Sequence, residues 1–244
     1  DATFLRRTWI DIVGDIPAIA SGPSPEAEND FGTTPEETSI TIDVLANDRS
    51  GGNDDDDDDD DDDDGGNDAR IDPGTVDLHV QANGIQASRT TSQGTYSVNE
   101  DGDVTFVPAL DFFGAASVEY TVMSEGRETS NRATITVQVV NINDAPVITG
   151  VSQGTIQVTA GQPVTIGLNQ LVIADPDNSP SDFVLTILPG PHYNSSGNIV
   201  SPDADFSGTL PVQVQVGDGG AYSETYTINL QVTARENQRP VITG

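Results

Sequence analysis

The chain has 244 residues, with 40 Asp and Glu against 9 basic residues, all Arg, and a formal net charge of -31; it has no cysteine. Lack of cysteine excludes disulfides, thiolate metal sites and cysteine nucleophiles. So acidic a surface argues against nucleic acid and anionic lipid as partners and favours cations. Calcium stands first, because carboxylate and amide oxygens are the donors it prefers.

Taken in chain order, residues 1–26 stand apart from the rest of the chain. Thr3 to Val13 holds the only Trp and two of the basic residues, and it alternates as a strand does. It reads as the end of a preceding module or as a strand that pairs with another chain. Gly22-Pro-Ser-Pro-Glu26 then reads as a linker.

Residues 27–144 form a first module of period-two segments: Thr38–Leu45, Thr75–Val80, Thr95–Val98, Asp103–Val107, Val118–Val122 and Thr134–Val139. Asn99-Glu-Asp-Gly102 is a tight-turn signal between two of them. Within this module, residues 51–68 carry eleven consecutive Asp between Gly51-Gly-Asn53 and Gly65-Gly-Asn-Asp68. The run reads as a solvated loop expansion held open by its own repulsion, or alternatively as a low-affinity, high-capacity collector of divalent ions or a patch that adsorbs to a calcium mineral face. Without that run the net charge is still -20, so the acidity is general.

A second module over 145–237 has Thr155–Val158, Val164–Ile166, Val184–Ile187, Leu210–Val216 and Tyr226–Val232 as its strands. No helical period appears over a useful length, and no apolar run of about 18 residues predicts a membrane span. Residues 1–22 lack the basic start and apolar run of a signal peptide.

The two modules are copies. Pro108-Ala-Leu-Asp-Phe-Phe-Gly114 returns 94 residues later as Pro202-Asp-Ala-Asp-Phe-Ser-Gly208, and Pro146-Val-Ile-Thr-Gly150 returns at the same offset as Pro240–Gly244. The last strands match at 93, so one residue slips between them. Short alternating strands, with turns every ten or so residues, predict an all-β chain. Two tandem antiparallel Ig-like sandwiches in an elongated array are expected. Residues 238–244 then read as a linker and the opening strand of a further module, so the chain is expected to be an excerpt or a processed piece of a longer protein.

At Asn141-Ile-Asn143-Asp144-Ala-Pro-Val147 the sequence resembles the linker of bacterial cadherin-like repeats in large surface and secreted adhesins. Ile42-Asp-Val-Leu-Ala-Asn-Asp48, Gly102-Asp-Val-Thr-Phe-Val-Pro108, Ala174-Asp-Pro-Asp177 and Val216-Gly-Asp-Gly219 support the likeness, which covers roughly residues 27–244. The resemblance implies Ca2+ at the junctions. Asn141, Asn143 and Asp144 would be linker ligands, Asp175 and Asp177 a D-x-D pair, and Asp218 a loop ligand. In the first module it implies Glu28 and Asp30, with Asn29 between them, and Asp48. The first module has Ser124 where the second has Asp218, and Asn237-Gln238 replaces Asn143-Asp144 at the next junction.

No nucleophile triad, zinc spacing, phosphate loop or dinucleotide fingerprint is present, and His79 and His192 fall in different modules. Phe106, Phe112, Tyr120 and Phe206 fall in the repeat pattern and are expected in the cores. The expected function is therefore non-enzymatic: a calcium-rigidified adhesive or stalk module of an extracellular or cell-surface bacterial protein. Its expected partners are calcium, neighbouring modules or subunits, and a surface polysaccharide or other cell-surface component. Two alternatives remain open. One is a filament or biofilm-matrix subunit assembled by strand donation through residues 1–13; the other is a carbohydrate-binding accessory module.

Overall fold

The computed structural model describes residues 24–51, 70–152 and 154–236. The strand expected in residues 1–13, the aspartate run and the strand expected in 238–244 lie outside these. The chain divides into two units after Val140.

Unit 1 contains β1 (Asp30–Pro35), β2 (Ile40–Ile42), β3 (Ile71–Asp77), β4 (Ser88–Thr90), β5 (Gly94–Val98), β6 (Val104–Pro108), β7 (Gly114–Ser124) and β8 (Ala133–Val140). They form two four-stranded sheets, β1-β8-β7-β3 and β2-β6-β5-β4. Alternation is clearest in β7 and β8, where every second residue from Ala116 to Ser124 and from Ala133 to Val139 is buried. Those inward residues, Ser124 aside, join Val44, Val76, Leu78, Tyr96, Val104 and Phe106 in one core. Full burial of one such aliphatic or aromatic side chain stabilises the fold by roughly 1.5–3 kcal/mol. Tyr96 and Phe106 pack ring to ring at 4.4 Å.

Unit 2 contains β9 (Val147–Val151), β10 (Ile156–Thr159), β11 (Val164–Thr165), β12 (Leu171–Ala174), β13 (Val184–Ile187), β14 (Tyr193–Ser196), β15 (Ile199–Pro202), β16 (Gly208–Gly217) and β17 (Tyr226–Thr233). A four-stranded sheet β10-β17-β16-β13 is accompanied by β11-β15-β14 and the ribbon β12-β9. Its core holds Ile166, Val200, Leu210, Val212, Val214, Val216 and Leu230. The one departure from extended chain among the named elements is a single 3-10 turn at Leu168–Gln170.

The sequence predicts antiparallel sheets, and the structure departs from this at one strand pair in each unit. In each unit an early strand runs parallel to the last one: β1 beside β8, from Asp30 opposite Ile135 to Pro35 opposite Val140, and β10 beside β17, from Ile156 opposite Leu230 to Thr159 opposite Thr233. In unit 2 the chain first pairs β9 with β12 and then changes sheets to lay β10 beside β17.

The repeated motifs have structural causes. Gly114 and Gly208, which close the two D-F-x-G motifs, have φ of 111° and 116°, a region open to glycine, and they start β7 and β16. The one-residue slip falls in the turns after these strands. Ser130 accepts the amide of Val122 on Oγ at 3.0 Å and donates its own amide to Val122 O; Ser223 makes the same pair with Val216. Both serines are buried.

Candidate metal centre

In unit 2 the acidic loop and the lead-in segment come together. Asp144 donates its amide to Asp177 Oδ2 at 2.7 Å. Asn143 Nδ2 donates to Asp218 Oδ2 at 3.0 Å and to the carbonyl of Asp144 at 2.9 Å. Asp175 Oδ1 accepts the amides of Asp177 and Asn178, the Asx turn that a D-x-D-N run favours. Asp218 Oδ1 accepts the amides of Gly220 and Ala221. Hydrogen bonds from Ala221, Asn143 and Gly220 hold the Asp218 carboxyl below its ordinary range.

Three oxygens on this loop have no donor. Asp175 Oδ2, Asp177 Oδ1 and Asn178 Oδ1 are shielded from solvent and accept no hydrogen bond. Leaving a buried carboxylate oxygen unpaired costs free energy that a bound cation would offset. Oxygen-only donors of this kind match the hard-ligand preference of calcium, and an unpaired amide carbonyl beside two carboxylates suits calcium better than a transition metal. Of the residues the sequence singled out, Asn143, Asp144, Asp175, Asp177 and Asp218 are thus brought into contact with one another in pairs or along one loop. Asn141 lies exposed ahead of them. Asn178 was missed, although it directly follows the D-x-D pair.

The corresponding corner of unit 1 is built differently. Glu28 donates its amide to Asp48 Oδ1 at 2.8 Å, a backbone-to-carboxylate contact of the same kind as that from Asp144 to Asp177. Asn131 grips the lead-in at two points, accepting the amide of Ala27 and donating to its carbonyl, both at 2.8 Å. Asn47 donates to the carbonyl of Asn29. Arg49 sits 3.5 Å from Glu28 in an exposed ion pair.

The distinctive group is Tyr120. Its ring is fully buried, and its Oη lies 2.9 and 3.1 Å from the two carboxylate oxygens of Asp48 and 3.0 Å from the carbonyls of Glu28 and Val44. One O–H serves one of these at a time, and the charged carboxylate is the strongest acceptor among them. Burial and the neighbouring Asp30 and Asp48 push the phenol far above its ordinary range, so it stays a donor.

Asp30 is 8% exposed, and its Oδ2 has no hydrogen-bond partner. Burial, with Asp48 and Asp43 adding to it against the Tyr120 and Asn47 hydrogen bonds, pushes its carboxyl up to about 7. The Asp48 carboxyl is raised as well, by burial first, against the Glu28 and Tyr120 hydrogen bonds. The sequence marked Tyr120 as core, which it is, but gave no sign that its hydroxyl organises the acidic corner.

The remaining singled-out residues are ordinary. Phe106 is fully buried, while Phe112 and Phe206 pack against the two cores half-buried. His192 stacks on Phe206 at 4.8 Å and lies 3.7 Å from Asp203. His79 is exposed, beyond the end of β3 rather than within a strand.

No curated protein matches the sequence. Among solved structures, the protocadherin gamma B4 extracellular domain aligns with a TM-score of 0.52 at 14% identity, over 87% of this chain. The chain spans about a third of that structure, 32%. Human protocadherin-24 EC1-2 aligns with a TM-score of 0.51 at 14% identity, over 86% of this chain and 99% of its own. Identities this low carry the fold alone, here tandem cadherin-like sandwiches. The sequence profile of the bacterial Ig domain matches twice, at residues 22–138 and 143–231. Two sandwiches, repeated motifs at one offset and two profile matches agree: the chain belongs to the bacterial Ig domain family.

Proposed function

We propose that this chain is a non-enzymatic, calcium-braced module of an extracellular bacterial surface protein, serving adhesion as a stalk. The observation that carries the calcium reading is the set of donorless buried oxygens on Asp175, Asp177 and Asn178. A cation there would be held by those three residues, with Asn143, Asp144 and Asp218 alongside. It would fix the lead-in Asn141–Asp144 to the loops of its own unit, and in a string of such units that is how calcium would stiffen the chain. Surface location is supported by family membership and by the acidity of the chain. No helix among the described residues is long and apolar enough to cross a membrane.

The test is thermal unfolding with calcium and with a chelator, for the chain and for Asp177→Asn. Calcium at a hundredfold excess over its Kd should stabilise unit 2 by about 2.7 kcal/mol. The substitution should abolish most of that gain while leaving the chelated protein nearly as stable. Identical melting in calcium and chelator would refute the reading.

A further inference from the structure

The two units differ beside their last strand. In unit 1, β1 accompanies β8 from its start: Asp30 faces Ile135, Phe31 faces Thr136, and Asn29 Oδ1 accepts the amide of Thr134 at 2.8 Å. At the 93-residue offset, Thr134, Ile135 and Thr136 correspond to Thr227, Ile228 and Asn229 of β17. There β10 arrives late, because the chain first pairs β9 with β12 and joins β17 only at Leu230.

Among the described residues, no strand lies beside Tyr226–Asn229 on that side of β17. A cavity of about 340 Å3 opens at this place, bounded by Gly154 and Thr155 of the crossover, by Gln170, and by Tyr226, Thr227 and Asn229. None of its lining residues is charged, in a chain whose net charge is -31. Hydrogen-bonding direction alternates along a strand. Since the amide of Thr134 points toward β1, the main-chain groups of Thr227 and Asn229 point into the cavity.

We propose that this notch is a strand-addition site for a short extended peptide segment lying parallel to β17. The segment would occupy the place that Asn29-Asp30-Phe31 fills in unit 1. A leading Asn would accept the Thr227 amide through its side chain, and the following main chain would bond to Thr227 C=O and Asn229 N–H. Main-chain pairing of this kind supplies affinity with little demand on sequence, and the uncharged walls favour a neutral segment. The cavity volume falls in the range of roughly 300–1,000 Å3 typical of ligand sites. This inference does not depend on calcium, and the same titration in chelator separates the two.

The experiment is a titration of the full chain with a blocked peptide of the sequence Ala27–Thr33 carrying Glu28→Gln and Asp30→Asn, which makes it neutral, followed by amide NMR. The expected result is shifts confined to Thr155, Thr227, Ile228 and Asn229, weakened several-fold when the peptide carries Asn29→Ala. Gly154→Leu should block them; Gly154 lines the cavity, and a Cβ there meets nothing within 4 Å, so the added side chain starts without a clash. Before any peptide is added, the amides of Thr227 and Asn229 should exchange with solvent faster than those of Thr134 and Thr136. No shifts at millimolar peptide, or shifts indifferent to Gly154→Leu, would overturn the proposal. So would equal exchange protection in the two units. Shifts at the same amides with N-acetylglucosamine but not with peptide would reassign the cavity to neutral sugars.

Discussion

Unit 1 and unit 2 bury an acidic loop at the same corner of the same fold, and they satisfy it by different means. At position 120 unit 1 has a tyrosine, whose hydroxyl reaches the Asp48 carboxylate. The equivalent residue of unit 2 is Val214, which is just as buried but offers no donor, and three oxygens of Asp175, Asp177 and Asn178 are left without one. A buried carboxylate needs a donor from within the fold or a cation from outside. Tyr120 against Val214 is one difference between the two corners, and even in unit 1 the buried Asp30 Oδ2 keeps no donor.

The comparison can be broken most forcefully at Tyr120. Tyr120→Val makes unit 1 resemble unit 2, removing a fully buried ring and leaving Asp48 with only the Glu28 amide. A loss of about 3 kcal/mol in unit 1 is expected in chelator, partly restored by calcium. Chemical denaturation in both conditions measures it, and a loss that calcium does not touch would mean the corner has no latent cation site.

A smaller effect, spread over pH, is expected from Asp30. Its carboxyl titrates near 7 in the fold, against about 3.9 in an unfolded chain. Between those values the native state keeps a proton that the unfolded state has released. The stabilisation is therefore complete below about pH 4, falls as pH rises toward 7, and levels off above. The slope should approach, at most, about 1.4 kcal/mol per pH unit. Asp30→Asn should reduce it in unit 1, leaving the part that the raised Asp48 carboxyl contributes, and an unchanged slope in the variant would assign it to other acids.

The smallest difference should be found at the serine clamps. Ser130→Ala and Ser223→Ala each remove the same buried hydrogen bond, so each should destabilise its own unit by about 1–2 kcal/mol. Equal losses would establish that the clamps are true copies. A loss in only one unit would show that its turn is held by something else.

The long strands were legible because their alternation is strong: Val118–Val122 and Leu210–Val216 were found inside β7 and β16. β1 was not, since Asp30-Phe-Gly-Thr-Thr-Pro35 mixes turn residues with a strand whose identity comes from its neighbour β8. β14, Tyr193-Asn-Ser-Ser196, was missed for the same reason; only its tyrosine is buried. Thr38–Leu45 was read as one strand, but only Ile40–Ile42 pairs, because the chain turns after Ile42 to present Asp48 to Glu28. The acidic loops were visible as D-x-D and linker motifs. The choice between a phenol and an empty set of oxygens was not, because it depends on which side chain from a distant strand lies beneath the loop.

The parallel pairing of early and last strands also has a mechanical meaning. When such a unit is pulled from its two ends, strands that point the same way slide past each other, and their hydrogen bonds are loaded together in shear rather than peeled singly. The β1–β8 clasp engages six residues of the early strand, and the β10–β17 clasp four. Under tension along the chain, the shorter clasp, β10–β17, is expected to part before β1–β8.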